Sequence, residues 1–254
     1  MRKTLAILLA GVLALSLAAC APAAADPTPT PTVQVTETPE PTATPTEPAS
    51  SETVYPVTVT DMAGQEVTIA AEPERIVSGY YISSSACIAL GLTERFVGIE
   101  AKAAERPIYS LAAPQLIELP NVGTAKAFDL ETCLATEPDL VILPMSQQET
   151  AQALEELDIP ALLVMPESHE QILEMFALIG EATNTVSQAQ ALSTYYTDLL
   201  DKVAERTAGL SEEDKPVVYM GGTSSYLTTA PAVMYQASLI TAAGGVNAAD
   251  SIEG

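Results

Sequence analysis

Between Val186 and Ala208 the chain runs for 23 residues without a glycine or proline, and Ala, Leu, Gln and Lys recur throughout. Good helix formers with no breaker among them predict one helix, about 35 Å long at about 1.5 Å rise per residue. An ordinary crossover between two strands of a sheet does not need that length. The stretch therefore predicts a rigid strut between two lobes.

On its amino side the chain reads as alternating strands and helices. Val57–Thr60 and Glu66–Ile69 flank Asp61-Met62-Ala63-Gly64-Gln65, which predicts a β-hairpin. Arg75–Ser78 is a short strand, Ser83–Leu90 a helix ended by Gly91, and Phe96–Ile99 the next strand. A loop rich in Pro and Ala follows. Asp129 is placed to cap a helix running through Ala135, and Leu140-Val141-Ile142-Leu143 is an all-apolar strand of the kind buried on both faces. A helix over Gln147–Leu157, a strand at Ala161–Val164 and a helix capped by Ser168 and reaching about Glu181 complete the set. The rhythm implies an α/β fold with a parallel sheet covered on both sides.

Beyond the strut a second set begins with the strand Val217–Met220, the turn Gly221-Gly222-Thr223 and a helix over Ala232–Ala243. One strand and one helix cannot build an independent core, so the second lobe is expected to be incomplete in this chain. The expected division is 52–185 for the first α/β lobe, 186–209 for the joining helix and 210–254 for the start of the second lobe.

The segment ahead of the fold has a different character. Arg2 and Lys3 precede an apolar stretch from Leu5 to Leu17, and Leu17-Ala18-Ala19-Cys20 closes it. This is the layout of a lipoprotein signal peptide, with residues 1–19 removed and Cys20 acylated. Residues 20–51 are the lipidated cysteine and a Pro- and Thr-rich stalk, unable to bury a core. In extended polyproline form its 31 residues after Cys20 reach up to about 95 Å. The expected location is the extracytoplasmic face of the cell membrane.

Charge excludes some partners. The net charge of −23 becomes −25 once Arg2 and Lys3 are lost. Nucleic acid needs clustered cations that this chain lacks, and anionic lipid is repelled, so membrane attachment rests on Cys20 alone. The remaining cysteines, Cys87 and Cys133, sit in apolar helical contexts that suit small buried thiols, with a disulfide between them as the alternative.

Several of these runs together carry a resemblance. Val57–Gly64, Pro73–Ser78, Gly91–Gly98, Asp129-Leu130-Glu131, Glu137–Ile142 and Ala243–Asn247 occur in the order seen in helical-backbone substrate-binding proteins of ABC importers, the receptors for ferric siderophores, haem and cobalamin. The resemblance extends from about Tyr55 to the last residue. It implies two Rossmann-like α/β lobes with parallel sheets joined by one long helix, a ligand cleft between them, and a monomer that works with a permease and its ATPase. It also implies that Glu131 is the first-lobe acid that docks on the permease.

Ligands of open α/β sheets lie beyond the carboxyl ends of the strands. By that rule the candidate cleft residues are Tyr80, Tyr81 and Ser83, then Lys102, Arg106 and Tyr109, then Thr124, Lys126 and Met145, and Tyr226 beyond the strut. Aromatic rings suit apolar ligand faces, and Arg and Lys suit carboxylate or hydroxamate oxygens. His169, the sole histidine, reads as a surface residue, and a single histidine argues against a bare-metal site; no bound metal or cofactor is expected. A chelated ferric ion fits best, with haem (Tyr81 or Tyr109 as axial ligand) and cobalamin as alternatives within the fold. No catalytic motif is present, which argues against an enzyme; a tethered adhesin or structural surface lipoprotein is the rival outside the family.

Overall fold

A computed structural model describes residues 52–222, 225 and 227–252. Cys20, the signal and the stalk lie outside the described residues, as does Tyr226. In chain order the elements are β1 (Val57–Thr60), β2 (Glu66–Ile69), β3 (Ile76–Ser78), α1 (Tyr81–Ala89), β4 (Phe96–Ile99), α2 (Pro107–Ala112), β5 (Gly123–Thr124), β6 (Ala127–Phe128), α3 (Leu130–Ala135), β7 (Leu140–Pro144), α4 (Gln148–Glu155), β8 (Ala161–Val164), α5 (His169–Ala182), α6 (Val186–Thr207), β9 (Val217–Val218), α7 (Tyr235–Ala242) and β10 (Val246–Asn247).

The central sheet is parallel, in the order β4-β3-β7-β8. Side chains of a strand point alternately to opposite faces, so an unbroken apolar strand serves two cores at once. Leu140 and Ile142 join one core with Ile76, Leu162, Cys87 and Ile179, while Val141 and Leu143 join another with Val77, Leu163, Cys133 and Leu154. Cys87 and Cys133 thus belong to different cores, and both are free and buried. Burial pushes each thiol up to about 12.

Helix boundaries follow local chemistry. Asp129 Oδ1 accepts a hydrogen bond from the Thr132 amide at 2.9 Å and Ser168 Oγ one from the Gln171 amide at 3.2 Å, so α3 and α5 begin where a capping side chain takes up an orphan donor. The expected Pro- and Ala-rich loop after β4 is instead partly helical. Pro107 occupies the first turn of α2, where its missing N–H costs nothing, and Pro114 opens a 3₁₀ turn in the same way.

The 22-residue helix α6 is unbroken. It packs along α5 through a close approach at Gly180, where an added Cβ would stand 2.5 Å from Ala189 Cβ. Beyond it, β9 and β10 pair in parallel. The expected strand Val217–Met220 is only two residues long here, and α7 begins at Tyr235 rather than Ala232 because Met234 is still extended. Among the described residues no helix is long and apolar enough to cross a membrane.

Candidate functional site

The sheet order locates the site. From β3 the chain moves outward to β4, and from β7 it moves outward the other way to β8. The carboxyl ends of β3 and β7 therefore flank the point where connections diverge, the crevice used by ligands of open α/β sheets. Gly79, Tyr80 and Tyr81 leave β3 there, and Met145, Ser146 and Gln147 leave β7.

A hairpin, β5–β6, closes over this end. Ser146 Oγ and Gln147 Nε2 both donate to the Ala125 carbonyl, at 2.7 and 3.1 Å, and Thr124 Oγ1 accepts from the Ala127 amide within the turn. Phe128 lies against Gly79 so closely that an added Cβ would meet its ring at 2.8 Å. Thr124 thus spends its hydroxyl on the turn, Met145 is half-buried in the core beneath, and Lys126 stays exposed at the tip.

The wall beyond β3 and β4 is built around Glu100, a residue that sequence reasoning did not single out. It is 4% exposed. Its Oε1 accepts from Tyr109 Oη at 2.7 Å and its Oε2 from Ser84 Oγ at 2.5 Å. Arg106 Nε stands 3.5 Å from the same Oε1, and the guanidinium carbon lies 4.2 Å from the centre of the Tyr81 ring. Tyr81 is 43% exposed, with Tyr80 packed edge-on at 5.3 Å between ring centres. The arrangement is a guanidinium seated on an aromatic face and backed by a buried carboxylate, able to offer both an apolar surface and donors to an oxygen-bearing ligand.

Two predicted contact residues lie deeper than expected. Ser83 is fully buried and its hydroxyl bonds to the Tyr80 carbonyl at 2.8 Å and to Ser78 Oγ at 2.9 Å, so it fixes the turn instead of facing a ligand. Tyr109 is also fully buried, which removes it as an axial ligand for haem and makes it a support for Glu100. Burial raises its phenol above the usual range and the Glu100 hydrogen bond raises it further; Tyr80 is raised by burial, then by Glu167 and Tyr81 nearby. Both phenols stay neutral. Lys102 is outside the cluster, in the left-handed region with its ammonium 3.9 Å from Glu105.

His169 is not the surface residue expected. Its Nδ1 lies 2.6 Å from Tyr196 Oη on α6, Tyr196 Oη lies 3.1 Å from Tyr235 Oη on α7, and the His169 and Tyr235 rings pack edge-on. Glu131 occupies the first turn of α3, exposed. Among the described residues no group of three or more His, Cys, Asp or Glu could hold a metal ion.

A parallel sheet in the order β4-β3-β7-β8, with its strand-end loops gathered at a switch point, defines an open α/β fold. The chain belongs to the Periplasmic binding protein family, matched over residues 76–253. It is 26% identical over 173 residues to the uncharacterized ABC transporter substrate-binding lipoprotein YvrC of Bacillus subtilis (strain 168), covering 66% of this chain and 52% of that protein. The chain thus spans about half the length of this curated relative. Among solved structures, the molybdate periplasmic binding protein MolA of Haemophilus influenzae superposes with a TM-score of 0.70 at 20% identity, covering 78% of this chain and 67% of that one. A periplasmic solute binding protein from Veillonella parvula DSM 2008 gives 0.66 at 29% identity, covering 78% and 61%.

Proposed function

We propose that this protein is the extracytoplasmic solute-binding component of an ABC importer, capturing a chelated ferric ion at the β3–β7 crevice and delivering it to a permease with its ATPase. The observation that carries the reading is the exposed Tyr81 ring under the Arg106 guanidinium, at the switch point of a fold shared with binding proteins. The ring supplies contact area to an organic chelate and the guanidinium supplies donors to its metal-binding oxygens. The relative's description as a substrate-binding lipoprotein supports both the transport role and the anchor at Cys20.

In this reading residues 52–185 form the first wall, 186–209 the joining helix, and 210–254 contribute to the second wall. Lys126 and Met145 border the opposite edge. Glu131, exposed on α3, docks on the permease. The anchor keeps the receptor close to its transporter, and the stalk supplies reach, so weak docking contacts suffice. Haem is the second reading, favoured by the exposed Tyr81 phenol as an axial ligand.

Titration of the protein with ferric enterobactin, ferric ferrioxamine B, haem and cobalamin, followed by tyrosine fluorescence and thermal shift, tests the proposal. Saturable binding of a ferric chelate is expected. Failure of all four, with retention of glycan or a host surface instead, would replace the importer reading by that of an adhesin.

A further inference from the structure

Glu100 presents a problem that its own hydrogen bonds do not solve. A carboxylate 4% exposed is costly to bury, and two hydroxyl donors, Tyr109 and Ser84, leave its charge uncompensated. The compensating charge is Arg106, whose Nε faces Oε1 at 3.5 Å. That Nε is itself shielded from water and makes no hydrogen bond, so its only polar satisfaction is the carboxylate's charge. Among the described residues, the two terminal nitrogens of Arg106 also have no hydrogen-bond partner.

The guanidinium is therefore held on two sides, one edge toward Glu100 and one face on Tyr81, with its far edge unused. A free guanidinium edge is a planar fork of N–H donors, matched to a group that offers two oxygens of one anion. From this geometry, and resting on the binding reading above, we propose that Glu100 is the positioning residue of the site. Its buried carboxylate orients Arg106 so that the guanidinium fork receives an anionic two-oxygen group of the ligand. Tyr109 and Ser84 act one step further back, by fixing the carboxylate.

The test compares the wild type with Glu100→Gln and Arg106→Ala, using ferric enterobactin, haem and molybdate as probes of anionic oxygens. Both variants should lose at least about tenfold in affinity for whichever probe the wild type binds, since each removes a charge-assisted interaction. A ligand-free readout accompanies it: the nitrogen-15 resonance of the Arg106 Nε–H, sharp and slow to exchange in the wild type, should broaden in Glu100→Gln, and Glu100→Asp should restore it in part. Tyr109→Phe, which keeps the ring and removes one donor to Glu100, should show an intermediate effect and serves if Glu100→Gln fails to fold. Unchanged affinity in Glu100→Gln, or an Arg106 Nε–H signal indifferent to the substitution, overturns the inference. Where the wild type binds none of the three probes, the Nε–H signal alone decides the role of Glu100, and the four-ligand titration above decides the importer reading.

Discussion

Asp61 Oδ2 accepts a hydrogen bond from the Leu163 amide at 3.1 Å, although 102 positions separate the two residues. Asp61 is buried, and its Oδ1 also takes the amides of Ala63 and Gln65 at 2.9 Å each. The Met62 amide donates in turn to the Leu163 carbonyl at 3.1 Å. The β1–β2 turn thereby satisfies backbone groups of β8, the strand at the end of the parallel sheet, and covers an edge that would otherwise invite another chain.

Asp61→Ala strands three amides at once, one of them deep in the sheet. A loss of about 2–4 kcal/mol is expected, within the range for unsatisfied buried donors. Urea denaturation followed by far-UV circular dichroism measures it; a loss below about 1 kcal/mol would mean that water replaces the carboxylate.

Tyr196→Phe deletes the hydroxyl that joins His169 to Tyr235, and leaves both partners unpaired. The expected cost is about 1–2 kcal/mol, with the ring contact to Phe176 retained. Hydrogen exchange should quicken in α7 more than in α1. Equal change in both helices would show that the hydroxyl does not tie α7 down.

Gly180→Ala forces a methyl into the contact with Ala189, where 2.5 Å is available. The two helices must separate, and overpacking of this kind costs about 1–3 kcal/mol. The double change Gly180→Ala with Ala189→Gly should recover part of it. Failure to recover would place the strain elsewhere.

Hydrogen bonds from the Thr132 amide, then from its hydroxyl, hold the Asp129 carboxyl below the usual carboxylate range. A depressed folded-state value means that the cap contributes its full stability above about pH 3.9, the ordinary Asp value, and loses it as pH falls further. Asp129→Asn still caps α3 but does not titrate. The acid limb of its melting-temperature profile should be flatter than that of the wild type below pH 4; identical limbs would show that the cap makes no measurable contribution.

Cys87 and Cys133, with thiols pushed up to about 12, should resist a thiol reagent at pH 8 in a Cys20→Ser protein and react only when denaturant is added. Their raised values place the associated stability fully below about pH 8.5 and remove it as pH climbs toward 12. Rapid labelling under native conditions would indicate that one of the cores opens.

Much of the fold is written in local pattern. The run Leu140–Leu143 announces a strand buried on both sides, Asp129 and Ser168 announce helix starts, and the absence of Gly and Pro over 186–208 announces α6, because each signal acts within a turn or two of chain. The site is less legible. Glu100 in an acidic chain looks like one more solvated carboxylate, and only the approach of Ser84, Tyr109 and Arg106 makes it central. His169 reads as a surface residue for the same reason: its partners lie 27 positions away on α6 and on α7 beyond. Ser83 and Tyr109 follow strands, as cleft residues do, but strand order does not reveal which way a side chain turns.

The contact between Phe128 and Gly79 leaves no room even for a methyl group. The loop that carries Tyr80 and Tyr81 and the hairpin that carries Lys126 consequently share one mechanical footing. A shift of either segment is passed to the other through this contact, so this end of the sheet changes shape as a unit.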